Sequence, residues 1–153
     1  MRLALYQPDI PQNTGTLMRL CACMGVAMDI IEPCGFILSD KNLKRAGMDY
    51  LDSLDLTRHA DFGALRRAQA GRRIVLLTTK SQQSFLDFAF APDDVLLLGR
   101  ESAGVPDDVH TACDARITIP MAAGLRSLNV AISGAMALSE ALRQTAQFPQ
   151  ARP

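Results

Sequence analysis

The 153-residue sequence lacks the features that direct a chain to a membrane or out of the cell. No apolar run approaches the roughly 18–20 residues that a membrane-spanning helix needs. Residues 1–6 are soon followed by Pro8 and Asp9, which is not the pattern of a secretory signal peptide. We therefore expect a cytoplasmic protein with no membrane partner.

An excess of charge of either sign is also missing. The chain has 16 Lys and Arg residues against 16 Asp and Glu residues, so its formal net charge is zero and the total gives no indication of a nucleic-acid partner. The basic residues nevertheless cluster in two segments. One contains Lys41, Lys44 and Arg45, and the other contains Arg66, Arg67, Arg72 and Arg73. Each cluster is either a solvated helix face or a surface that follows phosphate groups, and the sequence leaves both interpretations open.

Metal-binding patterns are absent from the cysteines and histidines. The cysteines Cys21, Cys23, Cys34 and Cys113 form no Cys-x-x-Cys pair, and the two histidines do not complete a zinc pattern. We therefore predict no metal. The thiols are expected to be reduced and buried, as in a reducing compartment.

The motifs of two common enzyme classes are missing as well. Residues 99–104 read Gly-x-x-Ser-x-Gly instead of the Gly-x-Ser-x-Gly of serine hydrolases, and no Gly-x-Gly-x-x-Gly marks a dinucleotide-binding fold. His59 could be read as an acid–base catalyst, but a hydrogen-bonded structural histidine is the favoured interpretation.

The sequence does contain a regular alternation of strand and helix patterns. Hydrophobic residues make up 48% of the chain, and its length fits one domain, residues 1–153, with a loose tail over about 148–153. Strands are predicted at 2–6, 27–31, 54–56, 74–78, 94–98 and 116–119. Helices are predicted at 15–24, 62–70, 84–88 and 129–144, with a basic helical turn at 40–45. The alternation predicts the α/β class, with a parallel sheet flanked by helices.

Three predicted helices carry candidate N-cap residues. Asn13 or Thr14 is expected to cap the first helix, and Asp61 the second. The last helix has Ser127 or Asn129 in that position.

One stretch, residues 96–129, organises the rest of the chain. A buried strand, a glycine-containing turn, a second strand, a small-residue loop and a helix start follow one another there. This is how an open α/β sheet forms a pocket at the carboxyl ends of its strands. Gly99 and Gly104 would let the backbone approach a ligand closely.

The residues of this stretch resemble those of a known family. Gly99-x-Glu101-x-x-Gly104, then 119–121 (Ile-Pro-Met) and 127–129 (Ser-Leu-Asn), are similar to the second and third motifs of the SpoU class of RNA 2′-O-methyltransferases, in the SPOUT superfamily. Residues 13–19, Asn-x-Gly-x-x-x-Arg, resemble the first motif. Segments 5–15, 31–36, 45–50 and 77–80 resemble the tRNA (cytidine/uridine-34)-2′-O-methyltransferases within that class. The likeness runs from Leu3 to about Arg143, and it rests on the order and spacing of the motifs.

The resemblance implies a SPOUT α/β-knot fold with a C-terminal trefoil knot, and S-adenosyl-L-methionine as cofactor. It assigns the cofactor to three loops, with adenine against backbone groups near Leu77, Ile119 and Met121. The implied cofactor-binding residues are Leu77, Thr78, Gly99, Glu101, Gly104, Ile119, Met121, Ser127, Leu128 and Asn129. We expect Gly99→Val to block cofactor entry without unfolding the protein.

The resemblance also implies catalytic residues, namely Arg19, Asn13 and Glu101. An arginine is a poor base because its pKa lies above about 12, so Arg19 is expected to orient a phosphate and lower the pKa of the ribose hydroxyl. Asn13 is expected to fix the turn that carries Arg19, to cap the helix, or both. Glu101 would orient Arg19 or an active-site amide, or is an exposed turn carboxylate. Arg19 and the three loops are expected to converge on one cleft.

The implied acceptor is the wobble nucleotide 34 in a tRNA anticodon stem-loop. Single-stranded loops of this kind expose bases that RNA-binding proteins can read. The candidate RNA-binding residues are Lys41, Lys44, Arg45 and Arg126. A ribosomal RNA methyltransferase of the same class and a non-catalytic RNA-binding module that keeps the fold are the two alternatives.

The last predicted helix is apolar around most of its circumference, which predicts burial on nearly every side. One domain of this size covers one side of such a helix. The other side is expected to meet a second subunit, with Gly134 and several alanines allowing a close approach. The resemblance implies a homodimer through the first and last helices, and a central core helix in a monomer is the alternative.

Overall fold

The computed structural model describes residues 1–39 and 51–150, apart from the side chain of Leu51. Within these residues, helices and strands alternate along the chain. The elements are β1 (Arg2–Tyr6), α1 (Pro11–Met24), β2 (Ala27–Ile31), a 3-10 turn (Leu51–Ser53), β3 (Leu56–His59), α2 (Phe62–Ala68), β4 (Ile74–Leu77), β5 (Val95–Leu98), α3 (Asp107–Ala112), β6 (Ala115–Ile117) and α4 (Val130–Gln144).

The strands of the described residues form one six-stranded sheet in the order β3-β2-β1-β5-β4-β6. Every neighbouring pair is parallel, which confirms the predicted parallel α/β class. All four residues of β5 are buried, and this explains its continuous leucine run, since a central parallel strand is covered on both faces.

Helices cover both faces of the sheet. On one face, α1 and α4 pack with β1, β2 and β5 through residues such as Leu17, Leu138 and Leu98. On the other face, α2 and α3 contribute Leu65 and Val109 to a second buried cluster. The sheet therefore separates the hydrophobic core into two layers, one under each pair of helices.

The strand register brings the carboxyl ends of the inner strands to one edge. Leu98 of β5 lies opposite both Leu5 of β1 and Leu77 of β4. From β1 the chain continues outward through β2 and β3, whereas β4, β5 and β6 lie on the other side of β1. The strand order reverses between β1 and β5, where open α/β sheets bind their ligands.

Several predicted boundaries were wrong. The first helix begins at Pro11 and not at Gly15, because proline is well tolerated in the first helical turn, where its missing N–H costs nothing. The third strand is Leu56–His59 instead of 54–56. The short helix α3 was missed, although Pro106 at its N-cap and two acidic residues in its first turn are helix-start signals.

The helix predicted at 84–88 does not form. Ser84 instead pairs with Thr118 as an isolated parallel bridge, and its hydroxyl accepts a hydrogen bond from the backbone N–H of Leu86 at 3.2 Å. Serine side chains that bond to nearby backbone groups compete with helix formation in this way.

The single chain covers only one side of α4, as expected, but the prediction that Gly134 allows a close approach of a second subunit was wrong. Gly134 is buried, and a Cβ atom there would lie 2.6 Å from Leu98 Cδ1 and 3.0 Å from Leu17 Cδ2. The close approach that this glycine allows is therefore to the chain's own sheet and α1. Ile132 and Met136, on the opposite side of α4, are 54% and 40% exposed.

Two predictions concern residues that lie wholly or partly outside the described part of the chain. The basic turn at 40–45, with Lys41, Lys44 and Arg45, lies outside the described residues. Residues 148–150 are exposed and have no regular structure, and the rest of the predicted tail lies outside the described part. The trefoil knot stays a prediction.

Candidate active site

A cavity of about 590 Å³ lies at the carboxyl ends of β4, β5 and β6. Its walls are the segments that follow these strands, together with the starts of α1 and α4. Its lining includes Asn13 and all of the residues predicted to bind a cofactor, namely Leu77, Thr78, Gly99, Glu101, Gly104, Ile119, Met121, Ser127, Leu128 and Asn129. Residues that are far apart in sequence are thus brought together in one place.

The loop after β5 is held in a tight turn by its two glycines. The backbone groups of Arg100 and Gly104 exchange two hydrogen bonds of 3.0 and 2.8 Å, and Gly104 has a φ of 67°, which favours glycine. A Cβ atom on Gly99 would lie 2.8 Å from Gly104 Cα and 2.9 Å from its carbonyl carbon. Because backbone atoms cannot swing away, a valine at position 99 would distort the loop itself. This is a reason against the expectation that Gly99→Val acts only by blocking the cavity.

Asn13 lies inside α1 and does not cap it. The N-cap position is Ile10, whose side chain makes no capping bond, and Thr14 is likewise a helical residue. The Asn13 amide is buried. Its Nδ2 donates to Glu101 Oε1 at 3.2 Å, and its Oδ1 accepts from Asn129 Nδ2 at 2.9 Å.

Asn129 completes this connection at the start of α4. Its Oδ1 accepts hydrogen bonds from the backbone N–H groups of Ala131 and Ile132, so it caps α4 as one of the two predicted alternatives. One chain of side-chain hydrogen bonds, which we name the Glu101–Asn13–Asn129 chain, therefore joins the β5 loop, α1 and α4. Glu101 accepts a hydrogen bond from the Asn13 amide, and the role predicted for it in orienting an active-site amide stays a prediction.

Glu101 also contacts the segment after β1. Its Oε2 accepts from the backbone N–H of Asp9 at 3.0 Å. Burial, and then the contact with Asp9, raises the pKa of Glu101. The interaction with Glu101 lowers the pKa of Asp9.

Gln7 takes part in a second set of contacts between the segment after β1 and the loop after β5. This residue has a φ of 43°, a left-handed conformation that is uncommon for a residue with a side chain. Its amide accepts a hydrogen bond from Arg100 and donates to the carbonyl of Glu32 at 3.3 Å. Ser102 donates to Asp9 beside it. The strained residue is thus part of the framework that fixes the cavity wall.

Arg19 is not among the residues that line the cavity. It lies on the exposed side of α1, about 9 Å farther along the helix axis than Asn13 at a rise of about 1.5 Å per residue. Arg126 is exposed on the loop before α4 and does not line the cavity either. The predicted convergence of Arg19 and the loops on one cleft concerns every subunit of the assembly, and it stays a prediction.

The second basic cluster lies at the opposite end of the sheet from the cavity. Arg66 pairs with Asp114 at 2.7 Å, and Arg73 pairs with Asp94 at 2.8 Å beside the start of β4. These two arginines are therefore partly neutralised, and the solvated-surface interpretation is the better one for them.

The remaining sequence candidates have structural roles. The Nε2 atom of His59 lies 2.7 Å from Oδ1 of the buried Asp29, so it is the hydrogen-bonded histidine that was predicted. The four cysteines are free, and Cys21 and Cys113 are buried as expected, whereas the expected burial was wrong for Cys23, which is exposed, and for Cys34, which is partly exposed. In residues 1–39 and 51–150, no cluster of three or more His, Cys, Asp or Glu side chains is placed to hold a metal ion. No helix in those ranges has the length and hydropathy to cross a membrane.

Several residues that line the cavity were not among the predicted site residues, and His110 is one of them. His110 lines the cavity from α3, and its Nε2 atom is buried without a hydrogen-bond partner in the described part of the chain. The only sequence signal was a histidine a few residues after the Gly99–Gly104 turn.

The family model of the SpoU rRNA Methylase family matches residues 1–139 of the chain. The chain belongs to the SpoU methylase family. A SpoU relative from Beijerinckia indica, named tRNA (cytidine(34)-2′-O)-methyltransferase, is 61% identical over 144 residues, which cover 93% of this chain and 90% of the relative.

Solved structures agree with this membership. One, described as giving structural insights into the 2-OH methylation of C/U34 on tRNA, has a TM-score of 0.88 at 40% identity and covers 94% of both chains. The SpoU methyltransferase AviRb from Streptomyces viridochromogenes, solved in complex with AdoMet, has a TM-score of 0.81 at 28% identity. That match covers 94% of this chain and 60% of AviRb.

Proposed function

We propose that this SpoU-family chain is a tRNA 2′-O-methyltransferase that transfers a methyl group from S-adenosyl-L-methionine to the ribose of nucleotide 34 in anticodon stem-loops. Residues 1–153 act as one catalytic domain. The observation that carries the proposal is the single cavity formed by all of the motif loops at the carboxyl ends of the strands. The relatives named for methylation of nucleotide 34 support the choice of acceptor. We place the reaction in the cytoplasm, since four free cysteines suit a reducing compartment.

The cavity suits the cofactor in size and in chemistry. Its volume of about 590 Å³ falls within the roughly 300–1,000 Å³ of small-molecule sites. Leucine, isoleucine and methionine side chains and the backbone of the β4, β5 and β6 loops line it, which suits a neutral heterocycle.

The bound cofactor would supply an electrophilic methyl group on its sulfonium. The chain's own residues hold the site in a fixed geometry. The Glu101–Asn13–Asn129 chain fixes the β5 loop relative to α1 and α4, and backbone groups near Leu77, Ile119 and Met121 contact adenine. Correct placement of two reactants supplies a large part of the rate enhancement in transfer reactions of this kind.

Arg19 orients an RNA phosphate and lowers the pKa of the ribose hydroxyl by its positive charge. Because Arg19 lies on the exposed side of α1, its contribution requires a second subunit. We propose a homodimer through α1 and α4, in which Arg19 of one subunit approaches the cavity of the other. The exposed Ile132 and Met136 on α4 support this interface.

The RNA is held by the dimer itself. Lys41, Lys44, Arg45 and Arg126 are the proposed contacts to the RNA backbone. Arg126 is exposed on the loop between β6 and α4, beside cavity residue Ser127. The other three lie outside the described residues, and the proposal for them rests on the sequence alone.

The proposal is tested by incubating the protein with methyl-labelled cofactor and separated tRNA and ribosomal RNA, and then mapping the modified nucleotide. We expect label on the ribose of nucleotide 34 of tRNA. Arg19→Ala should abolish the transfer, because phosphate orientation is lost, yet bind the cofactor with unchanged affinity in calorimetry. Label on ribosomal RNA alone would favour a ribosomal RNA methyltransferase of the same class. No transfer to either RNA would favour a non-catalytic RNA-binding module that keeps the fold.

A further inference from the structure

The short helix α3 depends on contacts with the rest of the fold. It has only six residues, and helices of this length are marginal on their own. After the helix, the backbone N–H of Asp114 donates to the carbonyl of Ile74 in β4 at 2.9 Å instead of continuing the helical pattern. The carbonyls of the last turn of α3 therefore need partners from elsewhere in the protein.

The guanidinium of Arg116, on β6, supplies these partners. Its Nε donates to the carbonyl of His110 at 2.8 Å. Its Nη2 donates to the carbonyl of Thr111 at 2.8 Å and to that of Cys113 at 3.1 Å. A cation at the carboxyl end of a helix also suits the helix dipole. Arg116 therefore fastens the end of α3 to β6 through three hydrogen bonds.

The backbone of Arg116 fastens a second segment, the loop after β4. The carbonyl of Arg116 accepts a hydrogen bond from Ser81 Oγ at 2.8 Å. The same hydroxyl accepts from the backbone N–H of Gln83 at 3.1 Å, and the carbonyl of Gln83 accepts from the N–H of Thr118 at 2.8 Å. One residue of β6 thus connects α3 on its side-chain side with the β4 loop on its backbone side.

The segments that Arg116 connects are walls of the cavity. Val105 and His110 line the cavity on the side of α3, residues 78–80 line it from the loop after β4, and Thr118 lines it just after β6. Arg116 itself is not among the residues that line the cavity. It therefore acts on a bound molecule only by holding these walls in place.

We infer that Arg116 is a positioning residue for cofactor binding, which holds α3 and the loop after β4 at the spacing that S-adenosyl-L-methionine requires. This inference rests on the proposed function, because it takes that cofactor as the ligand of the cavity. A ligand that contacts several walls loses contacts when one of them moves. The loss of Arg116 should therefore weaken binding in a protein that is still folded.

The test is a calorimetric titration of the full-length protein with S-adenosyl-L-methionine, at a temperature where circular dichroism shows each variant to be folded. Arg116→Met keeps an unbranched side chain but removes all of its donors. We expect its dissociation constant to rise on the order of tenfold, as when a ligand loses about one hydrogen bond. Arg116→Lys keeps the charge but not the planar fork, so it should fold as the wild type does and still bind the cofactor more weakly.

Arg73→Met is the matched control for a general loss of stability. Arg73 also forms three hydrogen bonds, two with the carboxylate of Asp94 at 2.8 Å and one with the carbonyl of Ala89 at 3.1 Å, but it lies at the start of β4, away from the cavity. Its loss leaves the buried Asp94 without its cation, so the melting temperature should fall at least as far as in Arg116→Met. The affinity for the cofactor should nevertheless equal that of the wild type.

The inference is overturned if folded Arg116→Met binds the cofactor with wild-type affinity. If that variant does not fold, wild-type affinity of Arg116→Lys overturns it in the same way. An equal loss of affinity in Arg73→Met would also overturn it, because the loss would then follow stability and not the cavity walls. A wild-type protein that does not bind the cofactor would remove the proposed function, and the inference with it. Binding by the wild type with unaffected Arg116 variants would remove the inference alone.

Discussion

Asn13 shows how one side chain can connect two motifs. Its amide donates to Glu101 and accepts from Asn129, so it needs one donor and one acceptor on the same short side chain. Aspartate has no donor, and leucine, of similar size, has neither group. The chemical identity of this residue therefore follows from its position between a carboxylate and the cap of α4.

Gly99 is required by the backbone opposite it, and this leads to a first prediction about stability. In Gly99→Ala, the new Cβ would lie 2.8 Å from Gly104 Cα, so the β5 loop must open. We expect a loss of about 1–3 kcal/mol in the free energy of unfolding, together with weaker cofactor binding. Urea denaturation and calorimetry measure the two effects.

Gly63→Ala is the matched control for this prediction. Gly63 lies in α2, and a Cβ there meets only the side-chain atoms Asp61 Oδ1 and Arg67 Nη1, at 3.2 and 3.3 Å. The exposed Arg67 side chain can move, and Asp61 Oδ1 needs to shift by only a few tenths of an ångström while it caps α2. Because alanine is the better helix former, the free energy of unfolding should change by no more than about 1 kcal/mol. Equal stability of Gly99→Ala and the wild type would contradict the argument.

The buried thiols give a prediction about reactivity and pH. Burial raises the pKa of Cys21 to about 12 and that of Cys113 to about 11. A raised pKa means less thiolate, the reactive form, so at pH 8 only about one Cys113 thiol in a thousand is ionised. Neither residue should react with iodoacetamide in the native protein at pH 8, whereas both should react after denaturation. Mass spectrometry of the peptides measures this, and alkylation of native Cys113 would count against it.

At the scale of elements, the start of α4 combines two tasks in Asn129. Its Oδ1 caps the helix, and its Nδ2 donates to Asn13. A substitution that keeps the first task and removes the second can separate the effect of the cap from that of the link to Asn13. Aspartate does this, because its carboxylate caps a helix as well as asparagine does but has no hydrogen to donate.

We therefore predict different results for two variants of Asn129. Asn129→Ala loses both the cap and the hydrogen bond to Asn13, and should destabilise the protein by about 2 kcal/mol in urea denaturation. Asn129→Asp keeps the cap and loses only the hydrogen bond to Asn13, so it should destabilise the protein by only about 1 kcal/mol, yet lose about tenfold in the rate of methyl transfer because the site is misplaced. Wild-type single-turnover rates for Asn129→Asp would show that the link to Asn13 has no part in catalysis.

The elements also show what the sequence can and cannot reveal. The leucine run of β5, the Asp61 cap of α2 and the glycine end of α1 are local signals, and the structure has them where they were predicted. The helix predicted at 84–88 failed because Ser84 pairs with Thr118, a contact that depends on the tertiary fold. Asn13 was read as a possible cap because its partners, Glu101 and Asn129, are remote in sequence.

The sequence predicted which residues belong to the candidate site better than it predicted how they are arranged. The motif residues were found because their order and spacing are distinctive, and the cavity gathers them. His110 belongs to no motif, so only the fold brings it to the cavity. The position of Arg19 relative to a cavity depends on where α1 begins and on what packs against the exposed side of α1. Neither can be read from the local sequence.

At the scale of the whole molecule, the single chain leaves one surface uncovered. Gln12, Thr16, Arg19 and Cys23 form an exposed stripe along α1, and Ile132, Met136 and Ser139 form one along α4, which packs beside α1. Ile10 and Leu128, both 41% exposed, lie at the starts of the two helices, next to the cavity. A partner that covers these stripes would bring its own Arg19 toward this region, which is why the proposed activity depends on the dimer.

The last prediction tests this dependence. In the double variant Ile132→Asp, Met136→Lys, two charges replace exposed apolar side chains on α4, and burial of unpaired charge opposes association. We expect a dimeric wild type and a monomeric variant in sedimentation equilibrium. Neither residue lines the cavity, so the monomer should keep cofactor binding in calorimetry while methyl transfer to tRNA falls by at least about a hundredfold. Leu86→Lys, at an exposed site away from both helices, should leave the dimer intact. An active monomer would mean that Arg19 is not needed across the interface, and the catalytic role proposed for it would then have no structural basis.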